Sequence, residues 1–327
     1  MQFGDDLKIK LRVRLVLLCF AGLILGFAVW FAAALKPVLA EKKFFTVSGG
    51  DGFRDVAEKL EAGGFVRSDL AAKMFFLISG SAFHLQPGSY VLDPGDGVPK
   101  ISAILRNGEK QTVKVVIPEG SSIYDIDEIL AKNFVVGKGE FVAWAKTQSP
   151  AIEGYLFPDT YDFFLESNSE EVAGRMRANF DLKAKPILDK DPKQVTRNLI
   201  LASLLEKEVP DFKDRQVVAG VLLKRIKVGM PLQVDATICY LKEMAGEKSC
   251  YPFSSADFRA NSPYNTYLNR GLPPGPIGNP GTESIKAAMS PIASAYWFYL
   301  SDPATGKTIF SETLDIHASN RVKYLKK

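Results

Sequence analysis

The segment LILASLLEKEVP, Leu199 to Pro210, holds residue types from which acid chemistry can be built. On a helix, Leu199, Ala202, Ser203, Glu206 and Val209 share one face by the i, i+3, i+4, i+7 rule, so Glu206 stands in line with apolar and small side chains. Desolvation disfavours a charged carboxylate, the condition a general acid working near neutral pH requires. Glu206 is therefore the first candidate. Glu208, about 200° further round the helix, shares a side with Leu201, Leu204 and Leu205 and reads either as a surface salt-bridge residue or as the catalytic group itself. Other chemistries find less support. SDPATGKT, Ser301 to Thr308, nearly spells a phosphate loop, but Ser301 replaces the first glycine and no clear helix follows, so the segment reads as a hairpin turn. No G-x-S-x-G elbow is present, and with only His84 and His317 a histidine-rich metal site is excluded. The three cysteines share no zinc-ligand spacing, so neither a metal nor a cofactor is expected. Cys239 and Cys250 flank a polar segment and could pair in an oxidising compartment, or stay as two unrelated thiols.

Several elements must position such a group. Leu15 to Leu35, LVLLCFAGLILGFAVWFAAAL, carries no charge and is long enough to span a bilayer, which takes about 20 apolar residues. Lys8, Lys10, Arg12 and Arg14 precede it and Lys36, Lys42 and Lys43 follow, a slight excess that puts residues 1–14 in the cytoplasm and the remainder outside the inner membrane. A cleaved signal peptide is the rival reading, but the run exceeds the usual 7–15 residue apolar core. The net charge of +4 has much of its basic excess near the N-terminus, so no nucleic-acid footprint is implied.

The exported part contains an internal echo. FTVSGGDGFRDVAEKL resembles VVIPEGSSIYDIDEIL about 70 residues later, and Pro87-Gly88-Ser89-Tyr90 corresponds to Pro158-Asp159-Thr160-Tyr161. Strand, helix, strand, helix is expected twice, the helices amphipathic through Phe53, Val56, Ala57 and Leu60 and through Ile123, Ile126 and Leu130. Further on, prolines at 273, 274, 276 and 280 make the stretch from Asn261 a loop, followed by a helix near Thr282, strands at Tyr296–Leu300 and Thr308–Phe310, and a short terminal helix. The expectation is an α+β chain with a transmembrane helix (15–35), a small α/β subdomain (44–110) and a larger α+β catalytic domain (111–327).

Five blocks carry a resemblance: IEGYLFPDTY (Ile152 to Tyr161), ASLLEKEV (Ala202 to Val209), MPLQVDATICY (Met230 to Tyr240), SPYNTYLNRGLPPGPIGNPG (Ser262 to Gly281) and SIKAAMSPIASAYWFYLSD (Ser284 to Asp302). In this order they look like the blocks of the endolytic murein transglycosylases, the MltG or YceG-like family, with Ala236 a departure where the family often has proline. The resemblance implies a lytic transglycosylase that cuts between N-acetylmuramic acid and N-acetylglucosamine, leaving 1,6-anhydro ends, with Glu206 at the catalytic position. It implies peptidoglycan strands as substrate and peptidoglycan synthases as candidate partners. Residues 44–110 resemble small LysM-type sugar-binding modules, although a structural pedestal would read the same way. Gln233, Asp235, Tyr264, Asn265 and Tyr267 are the candidates for holding sugar, since amides, carboxylates and tyrosine rings suit hydroxyls and pyranose faces. Asp235 could equally cap a helix and Tyr267 belong to the core, while Glu153 and Asp159 read as structural residues fixing the turn after their strand, or as a supporting acid. A non-catalytic wall-binding scaffold and a hydrolase using Asp235 are the competing functions.

Overall fold

The computed structural model describes residues 3–108, 112–247 and 249–325. The chain divides into two compact units, Met1–Thr112 and Val113–Lys327.

The first unit begins with α1 (Phe3–Ala34), whose Arg14–Ala34 stretch, mean hydropathy 2.6, is long and apolar enough to cross a membrane. Then come β1 (Lys43–Val47), α2 (Phe53–Ala62), α3 (Asp69–Ile78), β2 (Gly88–Leu92) and α4 (Val98–Asn107). The two strands pair antiparallel, Lys43 facing Leu92 and Val47 facing Gly88. The apolar face of α2, Val56, Ala57 and Leu60, meets Phe76, Tyr90, Leu92, Ile101 and Leu105 in a closed core. Each such buried leucine or isoleucine contributes about 1.5–3 kcal/mol.

The second unit opens with the same order: β3 (Thr112–Val116), α5 (Ile123–Lys132), α6 (Glu140–Lys146), β4 (Thr160–Phe164) and α7 (Ser169–Lys183), with β3 and β4 paired. The echo is therefore structural, and each copy has one helix more than the sequence pattern suggested. Its most specific mark is a tyrosine hydrogen bond. In the first copy the Tyr90 hydroxyl donates to the Gln86 carbonyl (2.7 Å), and in the second the Tyr161 hydroxyl donates to the Phe157 carbonyl (2.5 Å). Both tyrosines are buried at the start of the returning strand.

A helical layer follows: α8 (Lys185–Leu188), α9 (Val195–Glu208), α10 (Phe212–Lys227), α11 (Asp235–Met244) and α12 (Thr282–Met289). The hairpin β5 (Phe298–Ser301) and β6 (Thr308–Ser311) and the helix α13 (Leu314–Leu325) close the described chain. SDPATGKT is the hairpin turn, fixed by the Asp302 N–H donating to the Lys307 carbonyl (2.9 Å). Helix α9 is the centre of this layer. From Val195 to Glu208 it has neither glycine nor proline, and Leu199, Leu201, Ala202, Leu204 and Leu205 are fully buried. It stops because Pro210 holds the preceding Val209 extended, at φ −143° and ψ 138°. Glu208 is thus the last helical residue, delivered to the edge of the layer.

Candidate active site

The two glutamates at the end of α9 point into different surroundings. Glu206 has a side chain only 4% exposed, and both of its oxygens accept hydrogen bonds: Oε1 from Arg215 of α10 (2.8 Å) and Oε2 from the Gly281 N–H at the start of α12 (2.9 Å). Glycine is required around it. A Cβ on Gly281 would lie 1.7 Å from Oε1 of Glu119, and Gly120, at φ +80°, brings its backbone against the Glu206 side chain. Burial pushes the Glu119 carboxyl up, and the charge of Glu206 adds to the push. This group of residues ties α9, α10, α12 and the turn after β3 together.

Glu208 instead lines an open cleft of about 760 Å³, together with Arg225, Gln233, Asp235, Tyr267 and Tyr299. Burial raises its carboxyl to about 7 and the negative charge of Asp235 works in the same direction, against hydrogen bonds from the Tyr299 hydroxyl and the Ala236 N–H and the charge of Arg225. The placement follows from local structure. Tyr299 is a residue of β5, and Ala236 offers one of the free N–H groups of the first turn of α11. Burial and the neighbouring Glu208 raise the Tyr299 hydroxyl as well, so it remains a donor at neutral pH. A carboxyl that titrates near neutrality and faces a cleft can both give and take a proton at a bound molecule.

Three of the five residues expected to hold sugar share that cleft. Gln233 is exposed and adopts φ +51°, unusual for glutamine and a form of strain that concentrates at functional sites. Asp235 opens α11 without capping it and accepts a hydrogen bond from the Tyr267 hydroxyl. Burial, followed by that bond to Asp235, pushes Tyr267 upward. The other two are not among the residues that line the cleft. Asn265 is fully buried, its Nδ2 donating to the carbonyls of Phe258 (3.1 Å) and Ala260 (2.9 Å) and its Oδ1 accepting from the Tyr267 N–H (3.0 Å). Tyr264 packs on Tyr240 with ring centres 5.2 Å apart. Their geometry makes them supports for the loop that presents Tyr267. Cys239 and Cys250 are disulfide-bonded, attaching α11 to a segment whose Tyr251 and Phe253 reach the cleft.

Glu153 and Asp159 stay outside the cleft. Asp159 is ion-paired with Lys183 (2.5 Å). Glu153 is buried, accepting from the Ile123 N–H (3.1 Å), the Tyr240 hydroxyl (3.2 Å) and Nδ2 of Asn279 (3.0 Å), and burial lifts its carboxyl to about 8. Because this exceeds the ordinary 4.5, ionisation opposes folding, and the stability from this site is full below about pH 4.5 and lost as pH rises to about 8. In Glu153→Gln the amide carbonyl still accepts from the Tyr240 hydroxyl and the Ile123 N–H, with no titrating proton. Thermal melts of that variant are expected to decline less steeply between pH 5 and 8 than those of the parent; an unchanged slope would remove Glu153 from the account.

Residues 45–323 match the YceG-like family profile. The endolytic murein transglycosylase of Bacillus subtilis (strain 168) is 29% identical over 335 residues, covering 93% of this chain and 91% of that protein. That of Streptococcus pneumoniae serotype 2 (strain D39) is 26% identical over 334 residues, with 89% of this chain covered, and the chain spans 60% of the length of that longer relative. A crystal structure of a YceG-like protein from Listeria monocytogenes superposes with a TM-score of 0.55 at 29% identity, covering 86% of this chain and 99% of that one. Since the family match takes in both copies of the repeat, the helical layer and most of α13, this chain belongs to the YceG-like family.

Proposed function

We propose that this protein is an endolytic transglycosylase of peptidoglycan glycan strands and that Glu208 is its acid. The observation that carries the reading is a cleft-facing carboxyl raised to about 7 between Tyr299 and Asp235, in a family whose relatives bear that activity in their names. In the reaction, protonated Glu208 gives its proton to the oxygen between N-acetylmuramic acid and N-acetylglucosamine as that bond breaks. The resulting carboxylate takes the proton of the muramoyl C6 hydroxyl as that oxygen closes on C1. One glycosidic bond is lost, one 1,6-anhydro bridge is made, and no water is consumed. The nucleophile is intramolecular, so orientation of the sugar supplies much of the rate. Gln233, Asp235 and Tyr267 supply that orientation, two of them polar and one an aromatic face with a polar tip. Tyr264 and Asn265 act by holding the loop that carries Tyr267.

A hydrolase is the second reading, because Asp235 shares the cleft with Glu208 and two carboxyls are what water activation needs. Products separate the two. Uncrosslinked peptidoglycan digested with the full chain in detergent is expected to give 1,6-anhydro ends by mass spectrometry; reducing ends would favour the hydrolase, and uncut strands a scaffold.

The anchor in this reading is the Arg14–Ala34 span, with the charged N-terminus cytoplasmic, the rest outside the inner membrane, and strands and synthases within reach. The first unit, LysM-like in its opening strand and glycine turn, is assigned to gripping the strand.

A further inference from the structure

One wall of the cleft is cationic and takes no part in the chemistry above. Arg225 is not available to a ligand, because its guanidinium donates to the carbonyls of Trp297 (2.6 and 2.9 Å) and Leu232 (2.6 Å). His317 and Arg321 differ. They stand four residues apart on α13, hence on one helix face, and both line the cleft. Arg321 is exposed and makes no ion pair among the described residues. Its charge reaches His317 beside it and Tyr267 of the loop that carries the hydroxyl bonded to Asp235. The His317 ring stacks on Phe298, centres 5.2 Å apart, and its Nδ1 is buried with no hydrogen-bond partner. An unsatisfied buried polar atom costs about 1–3 kcal/mol, which a ligand supplying the partner would recover. Core packing does not account for Arg321, which is exposed on a helix with no fully buried residue.

We propose that Arg321 and His317 form an anion subsite for a carboxylate on the peptide attached to the muramoyl sugar. The inference rests on the glycan-strand reading. In such a strand the pyranose rings are neutral and the carboxylates belong to the peptides, so a cationic wall in a sugar cleft reads the peptide. The other wall, with Asp235, repels an anion, which fixes the side on which the peptide lies and so the direction of the strand. Arg321 provides a planar fork suited to a carboxylate, and Nδ1 of His317, in its N–H tautomer, a second donor.

The test uses the full chain in detergent and two probes: short glycan strands carrying peptides, and the same strands with their peptide carboxylates converted to neutral amides. The parent is expected to bind the first about tenfold more tightly. Arg321→Ala should erase that preference while leaving affinity for the amidated strands unchanged, Arg321→Lys should keep part of it, and 0.5 M salt should weaken it. Equal losses on both probes, or a preference that survives Arg321→Ala, would overturn the subsite. Cutting is recorded in parallel. Peptide-dependent binding that needs Arg321, without cutting, would leave the subsite standing and reject the transglycosylase reading alone.

Discussion

Replacing Glu208 by glutamine is expected to lower strand cutting by roughly 10²- to 10⁴-fold, the share a positioned acid-base group supplies, with binding to the strand retained. The substitution keeps the shape of the side chain and a carbonyl for the donors Tyr299 and Ala236, and removes only the transferable proton. Glu206→Gln should behave differently. Glu206 touches Arg215 and Gly281 rather than the cleft, so its loss is expected to lower the melting temperature and reduce activity by much less. The pH profile follows from the same assignment. The acid must be protonated before it acts, so the rate should fall as pH rises through about 7. Glu208→Gln with full activity beside an inactive Glu206→Gln that melts like the parent would return the acid to Glu206.

The contrast between these glutamates shows how far the sequence reached. Periodicity placed Glu206 in line with Leu199, Ala202 and Ser203, and all three are buried as that pattern requires. What periodicity cannot say is which element covers each face. The face with Glu206 is covered by α10 and α12, which bring Arg215 and Gly281, whereas the end of the face with Leu201, Leu204 and Leu205 opens on β5 and the start of α11. Those partners lie up to 91 residues away from Glu208 along the chain, beyond any local pattern. The same limit explains Tyr264 and Asn265. A loop rich in proline and asparagine is recognisable, but only tertiary contacts decide which of its side chains build the loop and which face outward. Tyr267 faces Asp235 because Asn265 holds the turn beneath it. The repeat was legible because a buried tyrosine and an amphipathic helix recur at one spacing. Its extra helices were not: α3, DLAAKMFFLI, has hydrophobic residues on nearly every side, leaving no contrast to mark a face.

Arg215→Ala is expected to destabilise the second unit by about 3–5 kcal/mol, the usual cost of removing one partner from a buried ion pair. Arg215 is 8% exposed, and besides its bond to Glu206 its Nε donates to the Val209 carbonyl (2.7 Å), one of the acceptors left open at the end of α9. Without it, Glu206 remains buried next to Glu119 with its counter-charge gone, and two carboxyls then compete for one poorly solvated space. For a unit of this size the loss corresponds to a drop of roughly 6–20 °C in melting temperature. Combining Arg215→Ala with Glu206→Gln should cost less than the sum of the single changes, because the second removes the charge that the first strands. The ion pair also bears on catalysis. It fixes the last turn of α9, and Glu208 lies on that turn, so Arg215→Ala at a temperature where the protein is still folded should lower kcat more than it raises KM for the strand. Additive melting shifts would mean that Arg215 and Glu206 stabilise the unit separately, and an unchanged kcat would mean that Glu208 is held in place by Tyr299 and Ala236 alone.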